Sequence, residues 1–389
     1  VTIAAARYTV QCVDTTQALQ ALRPAWQALD IQDIGSAFLS WEWLSAWWGA
    51  YGEGKQLRVY TAWLGESLAG VAPLMLERRT YNGIRLRVLR SLGAPDIDIG
   101  GWLARGGEAE TASNGVVEAL LQAVLGDRRE WDLLELNQLW LDAPMTGRLI
   151  PALRAAGCAV EVRPERHLAL PVTSDWVTYF QGLSKNLRDD LRKKERRAEK
   201  HGALVFERRR GREVTPAHLA ALFALNARGR YPQLYRSPAE QAFQRALLDS
   251  AAARGWADLS TLSIEGQPVA YRYGFSFDNR FEDWRTGFDT GFFELSVGKL
   301  LLMRLLQDCF QRGYREIDFL RGDEGYKERW NAQERLYGQI RAVPRTRLLV
   351  GAAALWLPGL KRWLKRFLGQ RSRSSPASPS PQDSQDFLA

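Results

Sequence analysis

The stretch from Leu259 to Trp330 constrains the fold more than any other. Runs rich in aromatic and β-branched residues at 259–264, 269–277 and 280–286 read as strands, separated by the turn formers Glu265-Gly266-Gln267-Pro268 and Asp278-Asn279. A helical run follows from Ser296 to Arg312. It stops where Gly313 can take a left-handed conformation, and a further strand covers 316–320. Three antiparallel strands feeding a helix and then another strand predict an α+β layer with the helix packed on the sheet.

The same succession stands upstream. Ser40 is a good N-cap for a helix that carries Trp43/Trp47 and Leu44/Trp48 at i,i+4 and that Gly52 can end. Strands at 57–64, 69–77 and 84–89, a helix near 115–125 and a strand at 131–136 repeat the order. An offset of 200 places Leu64 on Ile264 and Gly70 on Ala270, which predicts an internal duplication. His167 to Val172 reads as a strand that closes the first half or crosses to the second. The expected division is therefore two tandem layers, 1–172 and 173–344, then a basic amphipathic segment at 345–371 and a disordered tail at 372–389.

A chain of 389 residues suits two domains of ~100–150 residues with additions. Cys12, Cys158 and Cys309 are far apart and odd in number, so neither a disulfide framework nor a zinc site is expected, and a reducing, cytoplasmic setting fits best. The first residues do not read as a secretory signal, and no apolar run is long enough to span a bilayer. The net charge of +9 is concentrated: Arg341 to Arg373 holds nine Lys and Arg and no acid, which equals the excess of the whole chain. A general affinity for nucleic acid is thereby excluded as a reading of the charge. Within that segment Leu360, Trp363, Leu364, Phe367 and Leu368 share one helical face, with Lys361, Arg362, Lys365 and Arg366 opposite. This is the pattern of a helix lying on an anionic membrane surface, with a helix docked back on the protein as the alternative.

Four runs carry a family resemblance: Ser184-Lys185-Asn186-Leu187-Arg188, Ala270-Tyr271-Arg272-Tyr273-Gly274-Phe275, Ser296-Val297-Gly298-Lys299-Leu300-Leu301, and Asp318-Phe319-Leu320-Arg321-Gly322-Asp323-Glu324-Gly325-Tyr326-Lys327. Together with an echo in Phe38 to Trp48, they resemble the GNAT acyltransferases. Within these the closer likeness is to a CelD-type family linked to cellulose and exopolysaccharide synthesis. The resemblance implies a GNAT-type enzyme that uses acetyl-CoA or another acyl-CoA as co-substrate, without a metal. It would acylate an amine or hydroxyl of a cell-envelope saccharide or its lipid-linked precursor, in the cytoplasm or on the inner face of the cytoplasmic membrane.

By the same resemblance, Leu295, Ser296, Val297, Gly298, Lys299 and Leu300 would hold the pyrophosphate of coenzyme A. A helix start supplies free N–H groups and a positive dipole end, Gly298 lets backbone approach, and Lys299 adds charge. Tyr326 would protonate the departing thiolate, and Lys185, Asn186 and Arg188 would bind substrate. The first copy lacks both the Ser-x-Gly-x-Leu-Leu and the Arg-Gly-Asp-Glu-x-Tyr-Lys runs, so it reads as a structural or acceptor-binding copy.

No His follows His218, so proton chemistry in the second copy falls to carboxylates, tyrosines or water. A two-residue loop at Asp278-Asn279 would place Gly274 opposite Asp283 and Arg272 opposite Arg285. Arg272, Asp283 and Arg285 would then share one face, and Tyr271, Tyr273, Glu282 and Trp284 the other. A shift of one residue exchanges Glu282 for Asp283. Asp283 and Asp318 are the candidate bases, and Arg272, Arg285, Arg321, Asp323 and Lys327 the candidate substrate contacts. A purely structural Arg-Asp-Arg cluster, and turn duty for Asp323 and Glu324, are equally open. Two other functions compete. One is a Fem-type transferase using aminoacyl-tRNA, which would suit the twelve Lys and Arg against five acids in Ser184 to Arg212. The other is a non-catalytic scaffold of a polysaccharide synthase.

Overall fold

The computed structural model describes residues 8–29, 35–105, 115–322 and 325–351. Asp323, Glu324, the amphipathic stretch 360–368 and the tail lie outside the described residues. The chain forms two compact units. The first holds 8–29, 54–105, 115–164 and 337–351, and the second 35–53, 165–322 and 325–336.

In the first unit β1 (Thr9–Val13), β2 (Gln56–Leu64), β3 (Ser67–Tyr81) and β4 (Ile84–Ser91) run antiparallel in that order, with the short β5 (Leu103–Ala104) beside β3. The helix Val116–Gly126 crosses over to β6 (Leu133–Trp140), which is parallel to β4. Leu120, Leu121 and Val124 of this helix pack with Ala72, Leu74, Leu134 and Leu136 of the sheet.

The second unit begins within β7 (Cys158–Pro171) and adds β8 (Leu204–Arg210), β9 (Ala257–Ile264), β10 (Gln267–Phe277), β11 (Arg280–Phe288) and β12 (Glu316–Arg321), ordered β8-β9-β10-β11-β12-β7. Here the crossover helix is Val297–Gln311, and β12 is parallel to β11. Gly313 ends this helix at φ 69°, with Tyr314 N donating to the Cys309 carbonyl. The α+β class and the order of elements are those read from the sequence.

The duplication is legible in the register. Two-residue hairpins close Leu64↔Ser67 and Ile264↔Gln267, an offset of 200. Met75↔Arg90 corresponds to Phe275↔Glu282, and the parallel pair Arg90↔Glu135 to Glu282↔Asp318. The cut between the units differs from the expected 172/173. Residues 35–53 pack in the second unit because Phe38 meets Phe275 and Trp284 edge-on at 5.7 and 5.9 Å and Trp43 meets Phe243 at 5.4 Å. Conversely, the last strand, β13 (Gln333–Pro344), contributes Tyr337 onward to the first unit, where Tyr337↔Trp140 to Ala342↔Leu134 pair with β6.

One expected register fails. After Phe275↔Glu282 the next pair is Tyr273↔Arg285, so Gly274 faces both Asp283 and Trp284, and Arg272 lies opposite Thr286 instead of Arg285. A Cβ on Gly274 would lie 1.9 Å from the Glu282 carbonyl oxygen, so the bulge closes only around a glycine. Opposed residues share a face, which puts Arg285 with Tyr273, and Arg272 is spared a like-charged neighbour.

Candidate functional site

The helix Val297–Gln311 starts from Ser296 at φ 53°, ψ 44°, and the serine side chain makes no capping bond. The Lys299 N–H donates to the Ser296 carbonyl at 3.0 Å, which leaves the N–H groups of Val297 and Gly298, with the helix dipole, to face an anion. The side chains of Leu295, Val297 and Leu300 are buried in the core, so only their backbone can serve a ligand. Gly298 and Lys299 line an open cleft with about 940 Å³ of empty space, together with Arg272, Tyr326, Phe288 and Trp330. Lys299 is already engaged: its Nζ lies 2.8 Å from Asp190 Oδ2. The edge of β11 adds to the cleft. Its parallel pairing with β12 ends at Glu282↔Asp318, and among the described residues no strand pairs that edge from Asp283 to Phe288. An extended ligand carrying amides could pair with it, as a strand does.

The remaining expected residues fall into three places. Arg272 lies on the cleft floor, 3% exposed, ion-paired with Asp283 and with its guanidinium 5.9 Å from the Tyr326 ring centre. Leu187 reaches the cleft from the helix Lys185–Glu199, whereas Lys185 and Asn186 are exposed beside it and Arg188 is half-buried. Arg285 stacks over Trp284 at 4.5 Å, Arg321 is exposed at the end of β12, and Lys327 is buried with its Nζ donating to the carbonyls of Arg321 and Gly322 at 3.0 and 3.2 Å. Lys327 thus clamps the turn that carries Tyr326.

Where β11 and β12 part, two carboxyl groups are fully buried as parallel neighbours, Glu282 and Asp318. Glu282 Oε2 accepts from Ala37 N at 3.2 Å, Arg280 stands 3.4 Å from Oε1, and burial pushes the acid up to about 7. Asp318 Oδ1 accepts from Leu320 N at 2.8 Å, and Oδ2 has no hydrogen-bond partner. His167, beside Arg321 in the ladder, is held down to about 3 by burial and then by Lys327, Arg321 and Arg335.

The corresponding place in the first unit is occupied differently. Arg90 takes the position of Glu282 and pairs with Glu135 at 3.1 Å and Glu77 at 2.8 Å. Beyond it the chain's own Gly100 donates to the Gln138 carbonyl at 2.8 Å and bridges to Leu139. The gap between β4 and β6 is filled from within, and the charge there is neutralised. Sequence reasoning missed Asn226, Arg230, Tyr231, Arg329 and Trp330 as cleft residues, because they come from segments with no motif. Glu282 was within reach through strand alternation alone.

Residues 185–328 match the acetyltransferase (GNAT) domain family. The GNAT-like fold recurs in solved structures. A FemX crystal structure aligns at 10% identity and a TM-score of 0.57, over 89% of this chain and 100% of FemX. The C-terminal domain of a putative lysylphosphatidylglycerol synthetase from Agrobacterium fabrum aligns at 10% identity and 0.52, over 87% and 96%. A conserved protein of unknown function from Bacteroides thetaiotaomicron aligns at 13% and 0.50, over 86% and 100%. Such identities speak for the fold alone. No curated protein sequence matches the chain.

Proposed function

We propose that the GNAT domain transfers an acyl group, acetyl in the simplest case, from acyl-CoA to an amine or hydroxyl of a cell-envelope saccharide or its lipid-linked precursor. The supporting observation is a single cleft that joins the start of the Val297 helix, the edge of β11 beyond its pairing with β12, and Tyr326. The pyrophosphate of the donor would rest on the N–H groups of Val297 and Gly298, with Lys299 sharing its charge between Asp190 and phosphate. Its pantetheine amides would run along β11. Acceptor attack at the thioester needs a base, which Asp318 would supply, since Asp283 is ion-paired with Arg272, and the departing sulfur would take the Tyr326 proton. The saccharide acceptor rests on the family resemblance, and attachment to the membrane on the residues of 360–368.

Calorimetric titration with acetyl-CoA tests the donor. A dissociation constant in the micromolar range supports the reading, and no heat up to millimolar donor sinks it. The helix Lys185–Glu199 favours one rival, because it exposes Lys185, Arg192, Lys193, Arg196 and Arg197 to any polyanion. Binding of charged tRNA without binding of acetyl-CoA would establish the aminoacyl-transfer reading instead.

A further inference from the structure

We infer that Arg272 is a positioning residue that fixes the hydroxyl end of Tyr326 on the cleft floor, with Asp283 fixing Arg272 in turn. This rests on the reading of Tyr326 as the proton donor. The Arg272 guanidinium is buried, ion-paired with Asp283, and 5.9 Å from the centre of the Tyr326 ring, within reach of a cation–π contact. Asp283 owes its place to the bulge opposite Gly274. The loop bearing Tyr326 is pinned from its other side as well: Lys327 Nζ holds the carbonyls of Arg321 and Gly322, and Tyr179 OH donates to the Trp330 carbonyl at 2.7 Å. The tyrosine is thus set between a clamped turn and a clamped arginine.

The duplication supplies an independent observation. The register that puts Met75 on Phe275 and Arg90 on Glu282 puts Ala72 on Arg272 and Ser91 on Asp283. The first unit builds the same pair of strands with no charge at either position. Buried ion pairs are poor stabilisers, and small or apolar residues serve the same architecture in the copy whose gap is filled. The pair stands only in the copy with the cleft, where it touches Tyr326.

In the step concerned, the tetrahedral intermediate collapses and the C–S bond breaks with its electron pair going to sulfur. The sulfur takes the Tyr326 hydroxyl proton, leaving a phenolate that faces the guanidinium and regains a proton from solvent. Arg272 does not touch sulfur; it holds the donor in line.

Three variants test this in steady-state acetyl transfer: Tyr326→Phe, the charge-neutral pair Arg272→Met with Asp283→Asn, and their combination. Arg272→Lys is the conservative control. The paired variant should lower kcat about tenfold or more, since small misplacements of a reacting group are costly, while KM for acetyl-CoA stays within about twofold, which also reports a folded site. The combination should be no slower than Tyr326→Phe alone, because both lesions act through one group, and Arg272→Lys should recover part of the loss. Losses that multiply in the combination would overturn the inference, as would an unchanged kcat in the paired variant. Full activity of Tyr326→Phe would overturn the proton-donor reading and this inference with it, and is told apart from the other failures by that single variant.

Discussion

Glu282→Gln isolates the cost of burying an acid between β11 and β12. The carboxyl is fully buried, and its rise from the ordinary 4.5 to about 7 is caused first by desolvation, against which Arg280, Ser36 and the Ala37 N–H pull down and Asp318 pushes up. The folded state therefore holds a proton that the unfolded chain releases above 4.5. Stability from this group is fully present below pH 4.5 and is lost as pH rises through 7. The difference of about 2.5 pH units, at ~1.4 kcal/mol each, is worth roughly 3 kcal/mol by pH 8. The amide cannot ionise and can still accept from Ala37 N, so the variant should gain that amount on the wild type between pH 4.5 and 8. The assay is urea unfolding followed by tryptophan fluorescence at unit steps of pH, with the two proteins subtracted. His167 contributes equally to both and cancels. A difference that stays flat across this range would refute the argument, and a variant less stable at every pH would mean that Glu282 is an ionised partner of Arg280.

Other outcomes follow from the same geometry. Gly298→Asp should weaken acetyl-CoA binding tenfold or more, a cost of at least ~1.4 kcal/mol, in a protein whose circular dichroism is unchanged; equal affinity would remove the donor from this helix start. His167→Gln should flatten the acid side of the stability curve, because a histidine held at about 3 contributes stability that is complete above 6.5 and lost as pH falls toward 3. Calorimetry should return one acetyl-CoA per chain, since Gly100 and Arg90 occupy the first unit's gap; two sites would contradict that reading. The full-length protein should float with anionic vesicles at low salt and lose this on truncation after Gly351, each cation of 361–366 near the leaflet being worth ~1 kcal/mol; absence of flotation would remove the membrane proposal.

The strands and the crossover helix of the second unit were legible because alternation, turn formers and a glycine stop all act locally. Asp278 and Asn279 at φ 46° and 53° form the turn that their residue types announce. What escaped depends on contacts distant in sequence. Gly274 announces a weak point in a strand, but the Glu282 carbonyl oxygen that makes it a bulge lies on the neighbouring strand, and one inserted residue moved Arg285 across the sheet. Ser40 was readable as a cap, since its Oγ accepts from Trp43 N at 3.2 Å, whereas the unit that the capped helix joins depends on Phe243 and Trp284. In the cleft, the helix start and Tyr326 were named by motif. Asn226 ends an apolar helix, and Arg230 and Tyr231 follow in the irregular segment beyond it, with no local signal of a ligand.

The completion of each sheet by a strand from elsewhere in the chain bears on how this protein can be dissected. A fragment that keeps 173–344 retains every motif of the transferase domain. It lacks His167 to Pro171, which pair with β12, and residues 35–53, which cover Phe275 and Trp284. It would expose an unpaired strand edge and an aromatic surface, both invitations to aggregate. A fragment of 1–172 lacks the Tyr337 to Ala342 pairing on β6 in the same way. An insoluble half-length fragment would therefore say nothing about whether the second copy is the enzyme, and activity has to be mapped by substitutions in the intact chain.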